Sequence, residues 1–228
     1  MTKSTRAGKG AAKDAAAATS TKKQSGAWDP SSFRATDLKR LQRDGVVLEG
    51  AVRIPGDEAE PVPRADERVC FVSFMQRGLS LPVHPFLRGL LFAYQAQLHD
   101  LSPNGILHIA CFITLCECFL GVYPHWGLWK RLFNIKRSNK WYAIGGITIS
   151  IDPEADYFDI EMPDSVQGWR KKWFYIKDQA AIGQPFSLAP FDLAARARKC
   201  RAWKHELTDE EAAEVEPLYR RVGELRRT

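Results

Sequence analysis

Between Leu81 and Phe133 the chain reads LPVHPFLRGLLFAYQAQLHDLSPNGILHIACFITLCECFLGVYPHWGLWKRLF, three helical faces divided by proline and glycine. The step Ser102-Pro103-Asn104-Gly105 sets the middle helix: Ser102 suits the N-cap, and Pro103 fits the first helical position, where its missing N–H costs nothing. From Ile106 to Leu120 only His108, Thr114 and Glu117 interrupt the apolar residues. At about 100° per residue these three point in different directions, so the sequence predicts a helix buried nearly all round. Its 15 residues fall short of the roughly 20 needed to cross a bilayer, and Glu117 is ionisable, so no membrane span is expected.

The helix before it, from Pro85 to about Leu98, places Phe86, Leu87, Leu90, Leu91, Tyr94 and Leu98 on one stripe, with Arg88, Gln95 and Gln97 outside it. A short third helix, His125 to Phe133, offers Trp126, Trp129, Leu132 and Phe133. Phe119 reads as a core ring of this group, for which substitution by Ala should cost about 3–5 kcal/mol.

Strand signals surround the helices. Arg68 to Phe74 is a β-branched and aromatic run, and Ile147, Ile149 and Ile151 alternate with polar residues after Gly145-Gly146. Tyr157 to Ile160 and Trp173 to Lys177 are further candidates. A helix from Thr36 to Asp44, capped by Thr36 and ended by Gly45, precedes an extended connection through Pro55, Pro61 and Pro63. The expected class is α+β: a predominantly helical single domain with a small β-sheet.

Three segments follow from composition. Residues 1–27 are rich in Ala, Lys, Ser, Thr and Gly with no large apolar residue between Met1 and Trp28, so a disordered basic tail is expected. Residues 28–190 form the globular domain. In 191–228, Thr208 and Glu211 make a capping box, and Val215, Leu218, Tyr219, Val222 and Leu225 share a face, predicting a C-terminal amphipathic helix. That face needs a partner, either its own domain or a second chain through residues 208–226. The tail lacks the apolar segment of a secretory signal, which makes an intracellular location the expectation.

Blocks in a fixed order carry a family resemblance: RGLSLP from Arg77, LSPN around Ser102, LCE at Leu115 to Glu117, FLG at Phe119 to Gly121, and WFYIKD at Trp173 to Asp178. From about Val46 to Asp178 the chain resembles the plant gypsy-type transposon domain, also labelled a gypsy-type transposase. Leu79, Ser80 and Cys118 depart from the family's usual glycine, phenylalanine and small residues. The resemblance implies descent from a long-terminal-repeat element and carries no demonstrated catalysis with it.

The net charge of +6 resides outside the domain. Residues 1–26 hold six Lys/Arg against one Asp, whereas residues 27–193 hold eighteen against nineteen acids. The tail is therefore the first candidate for binding nucleic acid, by sequence-independent attraction. Within the domain, Lys130, Arg131, Lys136, Arg137 and Lys140 are followed by six acids from Asp152 to Asp164, then by Arg170, Lys171 and Lys172. The basic blocks interleave with Trp129, Trp141, Trp169, Trp173 and Tyr175, a mixture suited to single-stranded polynucleotides and equally to a solvated cover over core aromatics.

No arrangement names a reaction. Cys111, Cys116 and Cys118, with His108, lack zinc-ligand spacing, so apolar free thiols and no metal are expected. Glu117 reads as a buried carboxylate paired with Arg88 or His108. The Tyr-x-Asp-Asp, Asp-Thr/Ser-Gly and His/Cys zinc signatures of reverse transcriptase, protease and integrase are missing. The expectation is a non-enzymatic binding or assembly domain without catalytic residues or cofactor. Nucleic-acid binding is the alternative, and a metal-dependent nuclease using Asp152 to Asp164 is the remote third.

Overall fold

The computed structural model describes residues 28–137, 144–164, 166–178, 186–192 and 207–227. The basic tail and Lys140 lie outside them. In chain order the elements are α1 (Ala35–Arg43), β1 (Val52–Arg53), β2 (Glu67–Phe71), α2 (Val72–Gln76) and α3 (Pro85–Ala93). After a 3₁₀ turn at Leu98–Asp100 come α4 (Pro103–Thr114), its π-helical extension (Leu115–Leu120), α5 (Trp126–Leu132), β3 (Phe133–Arg137) and β4 (Ile147–Ile151). A second 3₁₀ turn at Trp169–Lys171 leads into β5 (Trp173–Lys177), and α6 (Asp209–Arg227) closes the described chain. The class is mixed α+β, with two antiparallel sheets among the described residues where one was expected.

β5 is the middle strand of the order β1-β5-β2, which explains its unbroken apolar run. Trp173, Phe174, Tyr175 and Ile176 are all fully buried because both faces are covered. On one face Trp173 meets Trp28 edge-on at 5.8 Å, and on the other Phe174 stacks on Phe33 at 4.6 Å. The segment from Trp28 to Phe33 is thereby tied to the strand, with Trp173 Nε1 donating to the Asp29 carbonyl at 2.8 Å.

Several expected boundaries move. The Arg68 to Phe74 run is strand only to Phe71, where the chain turns directly into α2. Tyr157 to Ile160 is not a strand, and Tyr157 is instead a buried ring edge-on to Phe133 at 5.3 Å. Phe133 to Arg137, expected as a helix end and a basic cluster, is a strand paired with β4 in the register Ile135↔Ile149. α1 starts one residue early, with Arg34 N–H donating to Asp37 Oδ2 at 3.0 Å, so Arg34 and not Thr36 is the cap.

The middle helix begins as predicted: Ser102 Oγ accepts from Gly105 N–H at 3.1 Å, and Pro103 is the first helical residue. Ile106, Ile109 and Phe112 are buried in the core. From Leu115 the winding widens to π before Gly121 ends it at φ 66°. The wider turn rotates the phase of the side chains. Phe119 is thereby turned into solvent at 61% exposure, and Thr114, Glu117 and Cys118 are exposed too, so the helix is not buried all round and Phe119 is not a core ring. With the π extension, Pro103–Leu120 is an 18-residue helix long and apolar enough to cross a membrane by length and composition, and half of it is buried inside this protein.

α3 stops at Ala93, shorter than expected, and Gln95 adopts φ 48° in the turn that follows. Arg88, expected off the stripe, is 1% exposed, with Nη2 2.6 Å from Asp178 Oδ1. Arg68 Nη2 approaches Asp178 Oδ2 at 3.4 Å, and Leu188 N–H donates to the same oxygen at 3.2 Å. The remaining guanidinium donors go to backbone carbonyls of Val83 and Phe186 from Arg88, and of Ala65, Glu67 and Leu188 from Arg68. This cluster fastens the segment around Phe186 to Leu188 onto α3 and β2.

α6 lies on its own domain. The capping box is present in both directions, Thr208 N–H to Glu211 Oε2 at 3.1 Å and Glu211 N–H to Thr208 Oγ1 at 3.2 Å. Val215 and Val222 are buried. Gly127 of α5 makes the close approach possible, since a Cβ there would stand 2.5 Å from Val215 Cγ2. Tyr219 and Arg226 hold Asp156 by its backbone N–H and carboxylate respectively.

Candidate functional site

α3 and α5 are each started by a histidine whose ring accepts the first free backbone N–H groups. His84 Nδ1 accepts from Phe86 N–H at 3.1 Å, and His125 Nδ1 accepts from Leu128 N–H at 3.3 Å. These caps set two helix beginnings beside one another, and a groove of about 390 Å³ opens between them. Phe86, Gly89, Phe92, Tyr123, Trp126 and Phe186 are among its walls, and no charged residue lines it.

Its aromatic surfaces are held in place from beneath and along one side. Phe86 packs on Phe112 at 5.2 Å and on Trp126 at 6.4 Å, and Phe92 stacks on Phe186 at 4.7 Å. Phe92 and Tyr123 are 64% and 72% exposed, which places two large rings in water at the mouth. Exposure of adjoining apolar rings around a preformed groove is the usual mark of a docking surface. At the rim His84 Nε2 lies 3.0 Å from Glu117 Oε1. Because Nδ1 is used as an acceptor, a neutral His84 carries its proton on Nε2 and donates it to Glu117.

Glu117 is thus a surface carboxylate paired with His84, and neither Arg88 nor His108 is its partner. His108 is buried, edge-on to Phe133 at 5.7 Å, and burial lowers its pKa. Burial pushes the Cys116 thiol up to about 11 and raises Cys70 and Cys111 as well, whereas Cys118 is exposed. Among the described residues no three or more His, Cys, Asp and Glu side chains gather closely enough to hold a metal ion. Two of the acids between Asp152 and Asp164 serve local structure. Asp152 Oδ2 accepts from Asn134 Nδ2 at 2.8 Å, and Asp156 anchors α6.

The structure divides the basic residues singled out from the sequence. Lys130 Nζ lies 3.0 Å from Glu211 Oε1, and the Arg131 guanidinium sits 4.9 Å from the Tyr219 ring, so both are engaged with α6. Arg137 approaches Asp100 at 3.9 Å, and Lys136 is exposed. Arg170 covers the ring of Trp169 at 4.9 Å and donates to the Ile144 carbonyl at 3.3 Å. Lys172 pairs with Asp37 at 2.7 Å, while Lys171 is exposed.

The groove itself escaped sequence reasoning. Its signal was Phe92, a large ring lying off the apolar stripe of α3; Phe186 comes from a segment nearly a hundred positions away and carried none.

These features define an α+β domain with an uncharged aromatic groove. Residues 69–137, under a third of the chain, match the family model described as "Putative gypsy type transposon". The match runs from within β2 to the end of β3, takes in all of the groove except Phe186, and agrees with the resemblance carried by the sequence blocks. No curated protein and no solved structure matches the chain.

Proposed function

We propose that this chain is a non-enzymatic, transposable-element-derived domain that works by binding or assembly, with the groove between α3 and α5 as its docking surface. The observation that carries the reading is the chemistry of that groove: exposed aromatic rings at the ends of two fixed helices, with no charged side chain among its walls. Such a surface gains free energy by covering apolar area and offers no carboxylate, imidazole, thiol or amine to polarise or deprotonate a substrate. It suits an extended segment presenting proline or aliphatic side chains, which aromatic grooves accept without charge matching.

Selection from a displayed peptide library on the full chain, repeated with Phe92→Asp, tests this. Apolar or proline-rich peptides that bind the parent and lose affinity for Phe92→Asp support the reading. Failure to enrich any sequence that depends on Phe92 would overturn the docking surface. Magnesium-dependent plasmid nicking that disappears with Asp152→Asn or Glu154→Gln would overturn the non-enzymatic reading.

A further inference from the structure

The loop from Val166 to Lys172 stands between two clefts. One, of about 550 Å³, lies toward α1 and α2 and includes Asp37, Ser73, Gln76, Trp169, Lys171 and Lys172. The other, of about 290 Å³, lies toward the start of α4 and includes Ser102, Asn104, Gln167 and Arg170. Trp169 contributes to both. Gly168, at φ 68°, turns the chain at the crest.

Each cleft has an orphaned polar atom in its wall. Ser73 is 4% exposed, and its Oγ has no hydrogen-bond partner in the protein. Asn104 gives Nδ2 to the Pro163 carbonyl at 3.3 Å, but its Oδ1 is unpartnered. Buried polar atoms are rarely left without a bond, so such atoms beside open clefts mark places where a ligand's polar groups would be accommodated. The crest supplies positive charge. Lys171 is exposed, and Arg170 is already spread over Trp169. The acids in the larger cleft are balanced, Asp37 by Lys172 at 2.7 Å and Asp44 by Arg40 at 3.7 Å.

We infer that this loop is a binding ridge for a single-stranded polynucleotide, with a backbone phosphate over Lys171 and the bases on either side of it entering the two clefts. Alternating anionic phosphates and flat bases match the alternation of a cationic crest with clefts walled by Trp169 and a mixture of apolar and polar groups. A duplex keeps its base edges paired and has none to insert. An acidic peptide carries no planar bases to fill the two clefts.

The test is fluorescence anisotropy of labelled single-stranded DNA and RNA with the full chain over a salt series, together with ultraviolet crosslinking and mass spectrometry. Crosslinks within residues 166–172 or on α2 are expected. Lys171→Ala should weaken binding roughly threefold at moderate salt and reduce the log–log salt slope by about 0.7, the share of one phosphate contact, with Lys171→Arg restoring both. Three outcomes overturn the inference: no binding, binding that Lys171→Ala leaves unchanged with crosslinks confined to the basic tail, or equal competition by duplex DNA or by poly-glutamate.

Discussion

Arg88 Nη2 sits 2.6 Å from Asp178 Oδ1 in a place where the two side chains retain only 1% and 5% of their exposure. Arg68 completes the cluster, so one carboxylate stands between two guanidinium groups. Oδ1 takes part in no hydrogen bond, so the contact is an ion pair. Removing the carboxylate leaves two buried cations facing each other. Asp178→Ala should therefore lower stability by about 3–5 kcal/mol, measured by urea denaturation, and make the chain around Phe186 to Leu188 a site of early proteolysis. A loss within the ordinary range of a surface substitution would contradict this account.

Phe119 and Phe112 make a paired comparison on one helix. Phe112 is fully buried and touches Phe86, Trp129 and Phe133, whereas Phe119 is 61% exposed. Phe112→Ala should cost about 3–5 kcal/mol and Phe119→Ala within about 1 kcal/mol. Thermal unfolding of the two variants reads the difference, and equal losses would mean that the π turn is wrongly placed.

The docking of α6 depends on a missing side chain at position 127, where a Cβ would meet Val215 Cγ2 at 2.5 Å. Gly127→Val should displace α6 and break the contacts of Lys130 with Glu211 and of Tyr219 with Asp156. Limited proteolysis should then cut within 207–227 in the variant and spare it in the parent.

Acid should destabilise the protein through two histidines. Burial lowers the folded-state pKa of both His99 and His108, so the unfolded chain takes up the proton more readily. Their contribution is complete above an unfolded pKa of about 6.5 and is lost as pH falls through their lowered folded-state values. Asp37 and Glu67, whose pKa values are lowered chiefly by Lys172 and Arg53 against the opposing effect of burial, contribute in a separate window below about 4.5. Unfolding midpoints at pH 7 and 5 should differ less in His108→Leu than in the parent, and an unchanged difference would remove His108 from the explanation.

Local chemistry made much of this molecule legible. Ser102-Pro103 marks a helix start wherever it is placed, because the cap and the missing N–H act within one turn. Thr208 with Glu211, the alternation at Ile147 to Ile151 and the apolar run Trp173 to Lys177 are likewise short-range signals, and each appears in the structure as read. The blocks from Arg77 to Gly121 pointed to the same family as the match over residues 69–137.

What tertiary structure decided depends on distance and phase. Arg88 seemed to belong outside because its partner, Asp178, is ninety residues away, and a periodicity cannot price an ion pair it does not see. Phe119 seemed buried because a constant 100° per residue was carried through Leu115, where the winding changes and turns it outward, and Glu117 seemed buried because its neighbours in sequence are apolar on every side. The groove required Phe92 from α3, Tyr123 from the loop before α5, Trp126 from its first turn, and Phe186 from a strand-following segment to meet. Only the folded chain brings surfaces so far apart in sequence into one wall, because the burial energy that holds them belongs to contacts between elements and to none of the elements alone.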